Sequence, residues 1–249
     1  MDPLVGRRIE DASLRAWPAL ETATLDGWEL RSAGGFTRRA NSVQPFSPST
    51  RALSEKVEDC EKWYRSRGLP VVFRLTPFSD EPLDAYLEEH GYQHVEPTDV
   101  LSMPLGAPSK YSALGGLREV DLDGWVHEYA ALSGRPASTI PLLRSILQAC
   151  GQPCFRGAVS AGEPFKHVAF GLAVLDQDLV GLFDLVTAEQ HRRRGYGAAL
   201  VAGLLGWGVA RGAHMAYLQV VRTNVPAREL YCKVGFTLVY TYWYRVRPS

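Results

Sequence analysis

Thr187–Gly212 reads TAEQHRRRGYGAALVAGLLGWGVARG, and the order of its parts decides the fold. The run feeding it, LVGLFDLVT (Leu179–Thr187), predicts a strand. A short polar turn follows, then Arg192, Arg193 and Arg194, then Gly195-Tyr196-Gly197, then an apolar stretch with helical spacing that begins at Ala198. Strand, basic glycine turn and helix in that order build an anion site. The glycines let the backbone turn tightly and let a ligand approach the main chain, so the free N–H groups of the first helical turn converge on one bound group. Those N–H groups, the positive end of the helix dipole and the three arginines favour a phosphate or pyrophosphate.

The rest of the chain sets bounds. Its 249 residues suffice for one large domain or two of ordinary size. Lys plus Arg equals Asp plus Glu, 27 each, so the arginine run is a local feature and the expected partners include no nucleic acid. The N-terminal stretch lacks the charged, apolar, small-residue order of a signal peptide. The longest uncharged run, Gly195–Ala210, falls short of a membrane span and contains five glycines, so it reads as a buried helix. No membrane association and a cytoplasmic location are the expectation. Cys60, Cys150, Cys154 and Cys232 show neither CxxC nor zinc spacing and read as free thiols. His90 and His94 are separated by the helix-ending Gly91, so no metal is expected.

Taken in order, residues 8–20 predict an amphipathic helix ended by Pro18. Strands follow over 24–32 and 36–43, joined as a hairpin through Gly34-Gly35. Ser49 or Thr50 is placed to cap a helix from Leu53, which Gly68 closes. A strand (69–77), a helix (82–90), Gly91 and a strand pair between Tyr92 and Pro104 complete a first unit. Residues 106–116, GAPSKYSALGG, have no apolar periodicity and predict a linker between domains spanning 1–106 and 117–249. Beyond it come helices near 122–133 and 139–150, strands over 154–160, 168–175 and 179–187, the glycine-turn helix, a strand (214–221), a helix (226–234), Gly235, and strands within 236–246.

The halves repeat at an offset of 144. Gly235 falls on Gly91, Phe236 on Tyr92, Leu230 on Tyr86, and Arg211-Gly212 on Arg67-Gly68, without a gap. Where the second half has Arg192–Gly197, the first has Pro48–Leu53 with no glycine. Where the second has Tyr231, the first has Leu87. A single active site would therefore lie in the second half.

These residues resemble a known family. Arg192-x-x-Gly195-x-Gly197, after a strand and opening a helix, is similar to the [Q/R]-x-x-G-x-[G/A] signature of the GNAT superfamily of N-acetyltransferases. Asn224, Ala227, Leu230-Tyr231 and Gly235-Phe236 follow its N-x-x-A-x-x-L-Y-x-x-x-G-F pattern. A Walker loop is absent, and the dinucleotide fingerprint fails because Leu200 stands at its third glycine. The resemblance implies an α/β (α+β) fold of two tandem GNAT-like units, each a mixed, mostly antiparallel sheet flanked by helices. The N-terminal copy is degenerate, and a cofactor cleft lies between two splayed strands of the C-terminal one.

The resemblance further implies an acetyl-CoA-dependent N-acyltransferase that moves an acetyl group to an amine of a small molecule or peptide. A non-catalytic acyl-CoA-binding sensor or scaffold is the alternative. Main-chain groups of Leu185, Val186 and Thr187 would bind the pantetheine arm and thioester. Arg192, Arg193, Arg194, Gly195, Tyr196, Gly197 and Ala198 would hold the pyrophosphate. Asn224, Ala227 and Tyr231 would sit near the sulfur. Tyr231 resembles the family's general acid, against packing on the sheet as its structural role, and the base is either Asp184 or Glu189. Trp243 and its tyrosine neighbours hint at an aromatic acceptor side. The oligomer would be a monomer or a homodimer.

Overall fold

The computed structural model describes residues 3–47, 50–79, 81–107, 116–162 and 166–247. Helix α1 (Pro3–Ala16) precedes β1 (Glu21–Leu25), β2 (Trp28–Ser32), β3 (Val43–Gln44), α2 (Leu53–Arg65), β4 (Val72–Leu75), α3 (Glu81–Glu89) and β5 (Gln93–Pro104). The second half runs β6 (Leu117–Glu119), α4 (Leu122–Ser133), α5 (Ile140–Ala149), β7 (Cys154–Ala161), β8 (Lys166–Asp176), β9 (Leu179–Thr187), α6 (Tyr196–Val209), β10 (Met215–Val221), α7 (Val225–Val234) and β11 (Thr237–Val246). Among the described residues the strands form one sheet, ordered β1-β2-β3-β4-β11-β5-β10-β9-β8-β7-β6. Only β3–β4 and β9–β10 pair in parallel.

That order interleaves the halves. β5 pairs with β10 on one side and β11 on the other, and β11 in turn pairs with β4. Each half thus completes its sheet with the other's last strand. The offset of 144 recurs in the hydrogen bonds that end the helices. Tyr92 N–H donates to Leu87 O at 2.9 Å and Phe236 N–H to Tyr231 O at 3.0 Å, while Leu69 N–H to Tyr64 O (3.1 Å) matches Ala213 N–H to Gly208 O (3.0 Å). Gly68, Gly91, Gly212 and Gly235 all take the left-handed φ that these endings need.

Two apolar layers cover the C-terminal part of the sheet. Leu200, Val201, Leu204 and Leu205 of α6 are buried against Leu182, Leu218 and Val220, each contributing roughly 1.5–3 kcal/mol. On the opposite face α1, α4 and α5 bury Ile9, Trp17, Trp125, Leu143 and Ile146 with Phe170 and Phe183. Helix α1 therefore packs on strands of the second half, where Arg15 pairs with Asp176 at 2.6 Å and Arg8 with Asp178.

Several local expectations are corrected. The first hairpin turns at Asp26-Gly27, both at positive φ, with Leu25 opposite Trp28, because Asp-Gly suits the tight primed turn. Gly34-Gly35 instead opens a loop (33–42) organised by Asn41, whose Oδ1 accepts from Ala33 and Gly35 N–H and whose Nδ2 donates to Phe36 and Thr37 O. Thr50 does not cap α2: its N–H donates to Asp26 Oδ2 at 2.9 Å, and Ser49 lies outside the described residues. The strand pairs expected over 92–104 and 236–246 are single strands of 12 and 10 residues. Of the expected linker, residues 108–115 lie outside the described residues.

Candidate active site

Strands β9 and β10 are hydrogen-bonded from Leu179↔Met215 to Leu182↔Leu218 and then part, although β9 continues to Thr187 and β10 to Val221. The cause is a bulge. The β8–β9 register shifts between Phe170/Val186 and Leu172/Phe183, and Asp184 takes φ +49°. Such a kink bends the bulged strand away from its neighbour, leaving the β10-facing edge of Leu185–Thr187 without a ladder. A cleft of ≈ 530 Å³ opens there, between β9, the first turn of α6, and α7.

At the mouth of the cleft the chain passes through a one-turn helix (Glu189–His191) and arrives at Gly195, which takes φ +86° and precedes α6 with no side-chain cap. The first N–H groups of α6 are thus open to a ligand. Arg192 and Arg193 line the same opening, Arg192 anchored by Nε–H to Thr187 O at 3.3 Å. Gly197 lies where a Cβ would stand 3.4 Å from Leu230 and from Thr187. Main-chain donors at a helix N-terminus and two exposed guanidinium groups converge there, a setting suited to an anion.

Helix α7 forms the far wall. Asn224 caps it, its Oδ1 accepting from Ala227 N–H at 3.4 Å. Tyr231 is buried, 6% exposed, its ring edge-on to Phe236. Burial pushes its phenol up to about 12, so it holds its proton at neutral pH. The hydroxyl bonds to no other described residue.

Asp184 faces the other side of the sheet, toward Tyr129 of α4, Arg39 and Arg135. Its Oδ2 is sealed from solvent without a hydrogen-bond partner. Burial raises its carboxyl above the ordinary aspartate value, against the opposing pull of Arg39 and Arg135.

A family model described as "Probable histone acetyltransferase Rv0428c C-terminal" matches residues 6–245. The Mycobacterium tuberculosis protein of that name is 30% identical over 239 residues, covering 93% of this chain and 70% of its own. The chain belongs to this family of GNAT acetyltransferases. The "Uncharacterized N-acetyltransferase YobR" of Bacillus subtilis is 27% identical over 97% of this chain and 98% of its own. In fold, the chain is similar to a GCN5-related N-acetyltransferase from Kribbella flavida, with TM-score 0.70 at 17% identity over 97% of this chain and 95% of that one.

In this GNAT chain, Leu185, Val186, Thr187, Arg192, Arg193, Gly195, Gly197, Ala198, Asn224, Ala227 and Tyr231 line one cleft. Arg194 and Tyr196 do not. Arg194 is exposed, and Tyr196 turns its ring edge-on to His191. Glu189 is exposed outside the cleft, whereas Asp184 lies at the bulge. Trp243 packs on the N-terminal side, donating to Asp84 Oδ1 at 3.1 Å and stacking on His94, because β11 is inserted beside β4. Sequence reasoning missed His191, Glu229 and Lys233 among the polar lining residues. The His191 Nδ1 is buried without a partner, and its signal was its place immediately before the arginine run.

Proposed function

We propose that the chain is a tandem GNAT whose C-terminal half transfers an acetyl group from acetyl-CoA to an amine of a small molecule or peptide, the N-terminal half being a degenerate copy. The observation that carries this is the open first turn of α6, with Arg192 and Arg193, meeting the unpaired edge of β9 and Tyr231 in one cleft. At the equivalent of Leu200 the N-terminal half has buried Lys56, whose Nζ sits 3.1 Å from Asp26 Oδ2 and 3.8 Å from the Trp28 ring centre. An internal ion pair occupies the region where a cradle would be.

Acetyl-CoA, when bound, supplies an acetyl group activated as a thioester and open to direct attack by an amine. The helix N-terminus and arginines hold phosphate, and a main-chain N–H on the β10-facing edge of Leu185–Thr187, which has no ladder partner, polarises a carbonyl. An alkyl amine is mostly protonated at pH 7, so a base must take its proton. Asp184 fills this role: it stands at the bulge, burial raises its carboxyl against the pull of Arg39, Arg135 and the Tyr129 hydroxyl, and its Oδ2 has no hydrogen-bond partner. Glu189 is exposed in the one-turn helix after the strand, away from the bulge. Tyr231 returns a proton to the departing thiolate.

Calorimetry with acetyl-CoA tests the reading; absence of saturable binding at millimolar cofactor would refute it. Tyr231→Phe is expected to lower kcat by about 10²-fold with little change in acetyl-CoA affinity. Unaltered turnover would remove Tyr231 from the chemistry.

A further inference from the structure

On the face of the sheet opposite the cleft, the groups around Asp184 carry both signs of charge, and two of them are guanidinium groups with no carboxylate partner. Arg39 comes from the 33–42 loop of the N-terminal half, which Asn41 pins through four hydrogen bonds and Thr37 ties to Trp17 Nε1–H at 3.1 Å. Its guanidinium carbon lies 4.7 Å from the Trp17 ring centre and 5.2 Å from that of Phe183, the residue before Asp184. Arg135 follows α4 and reaches Tyr129 Oη at 3.4 Å. Both arginines are half-buried, and among the described residues neither has an Asp or Glu oxygen within 4.0 Å.

Half-burying a guanidinium without a counter-ion is costly. Many arginines of this chain do pair, including Arg15, Arg74, Arg222 and Arg245. Asp184 is near enough for Arg39 and Arg135 to act on its carboxyl, yet no ion pair closes. The Asn41-pinned loop and the end of α4 therefore each hold a cation beside, but off, the carboxylate. A ligand with one charge of each sign would satisfy all of these groups at once.

We infer that the acceptor is a small amine carrying a carboxylate, its ammonium directed to Asp184 and its carboxylate to Arg39 and Arg135. The inference rests on the transferase reading above. Arginine's planar fork suits a carboxylate, and each guanidinium is held over buried aromatic rings, Arg39 over Trp17 and Phe183 and Arg135 over Phe36 and Tyr129. The N-terminal half thus supplies acceptor selectivity through Arg39. One ammonium proton goes to Asp184 and the amine nitrogen forms a bond to the acetyl carbon; the carbon–sulfur bond then breaks with the sulfur taking the Tyr231 proton, and the nitrogen's second proton restores the Tyr231 phenol.

The test is acetyl transfer to the proteinogenic amino acids and to their matching amides, at saturating acetyl-CoA. Rates are compared at equal concentrations of neutral amine, so that basicity does not decide the result. Wild type is expected to favour at least some free amino acids over their amides by about tenfold or more in kcat/KM, mainly through KM. Arg39→Gln is expected to bring that ratio toward one, and Arg39→Lys to restore part of it. Quenching of Trp17 fluorescence by the preferred amino acid, lost in Trp17→Phe, gives a readout independent of turnover. Equal rates for acids and amides, preference for amides or peptides, or a ratio unmoved by Arg39→Gln would each overturn the inference. So would acetyl-CoA binding without transfer to any member of the panel. Failure to bind acetyl-CoA would instead bring down the transferase reading itself.

Discussion

Arg74 of β4 grips Glu10 of α1 at two points, Nη1 to Oε2 at 2.7 Å and Nη2 to Oε1 at 2.9 Å, with both side chains sealed from water. Tyr240 of β11 donates its hydroxyl to the same carboxylate, and the guanidinium lies 3.8 Å from the Tyr242 ring centre. One ion pair thereby fastens the N-terminal helix to strands from both halves. Removing one partner leaves the other charge buried and uncompensated, at about 3–5 kcal/mol. Glu10→Gln is expected to lose about that much in urea unfolding. Glu10→Leu with Arg74→Met is expected to recover most of it.

A second expectation concerns Asp184. Its carboxyl is raised in the folded state, so between the unfolded and folded values the native protein holds a proton that the unfolded chain releases. Stability therefore falls as pH rises through that interval. Asn fits both the shape and the positive φ of this position. Asp184→Asn is expected to be more stable than wild type at pH 7, with the advantage gone below about pH 4. Acetyl transfer is expected to collapse in the same variant.

Gly195 and Gly212 make a matched pair. Their φ values are +86° and +88°, and a Cβ at either would meet nothing within 4 Å. Alanine at each costs about 1–2 kcal/mol of backbone strain, visible as a similar fall in Tm. Only Gly195→Ala is expected to weaken acetyl-CoA binding as well, because only Gly195 sets the open helix turn.

Arg192 and Arg193 are exposed at the mouth of the cleft and line it together. Replacing both by Gln is expected to lower acetyl-CoA affinity about tenfold or more. Raising salt should narrow the difference, since exposed charges are screened. Calorimetry at low and high ionic strength checks both points.

The cleft was legible because its determinants are local. The glycine turn at Gly195 could be read from the strand–turn–helix order, whereas the splayed strand and the places of Asn224 and Tyr231 came from the family resemblance. The 144-residue offset was legible for the same reason: glycine at a helix ending is a backbone requirement. Asp26-Gly27 was a local signal too, overlooked in favour of Gly34-Gly35, whose environment is set by Asn41. What spacing could not show was partnership at a distance. Nothing near Arg39 points to Asp184, 145 positions later, and nothing within Trp243 shows that its strand lies beside β4. Such relations depend on strand order, which the chain encodes only through the packing of the whole.

The interleaving of β5 and β11 constrains synthesis as well as architecture. During translation, residues 72–75 emerge long before 237–246, the strand that must lie between β4 and β5. The first half cannot close its sheet while it leaves the ribosome, and its unfilled edges stay exposed until residues 237–246 are made. Folding is then a joint, late event of high contact order, and either half made alone would present an open seam to its neighbours.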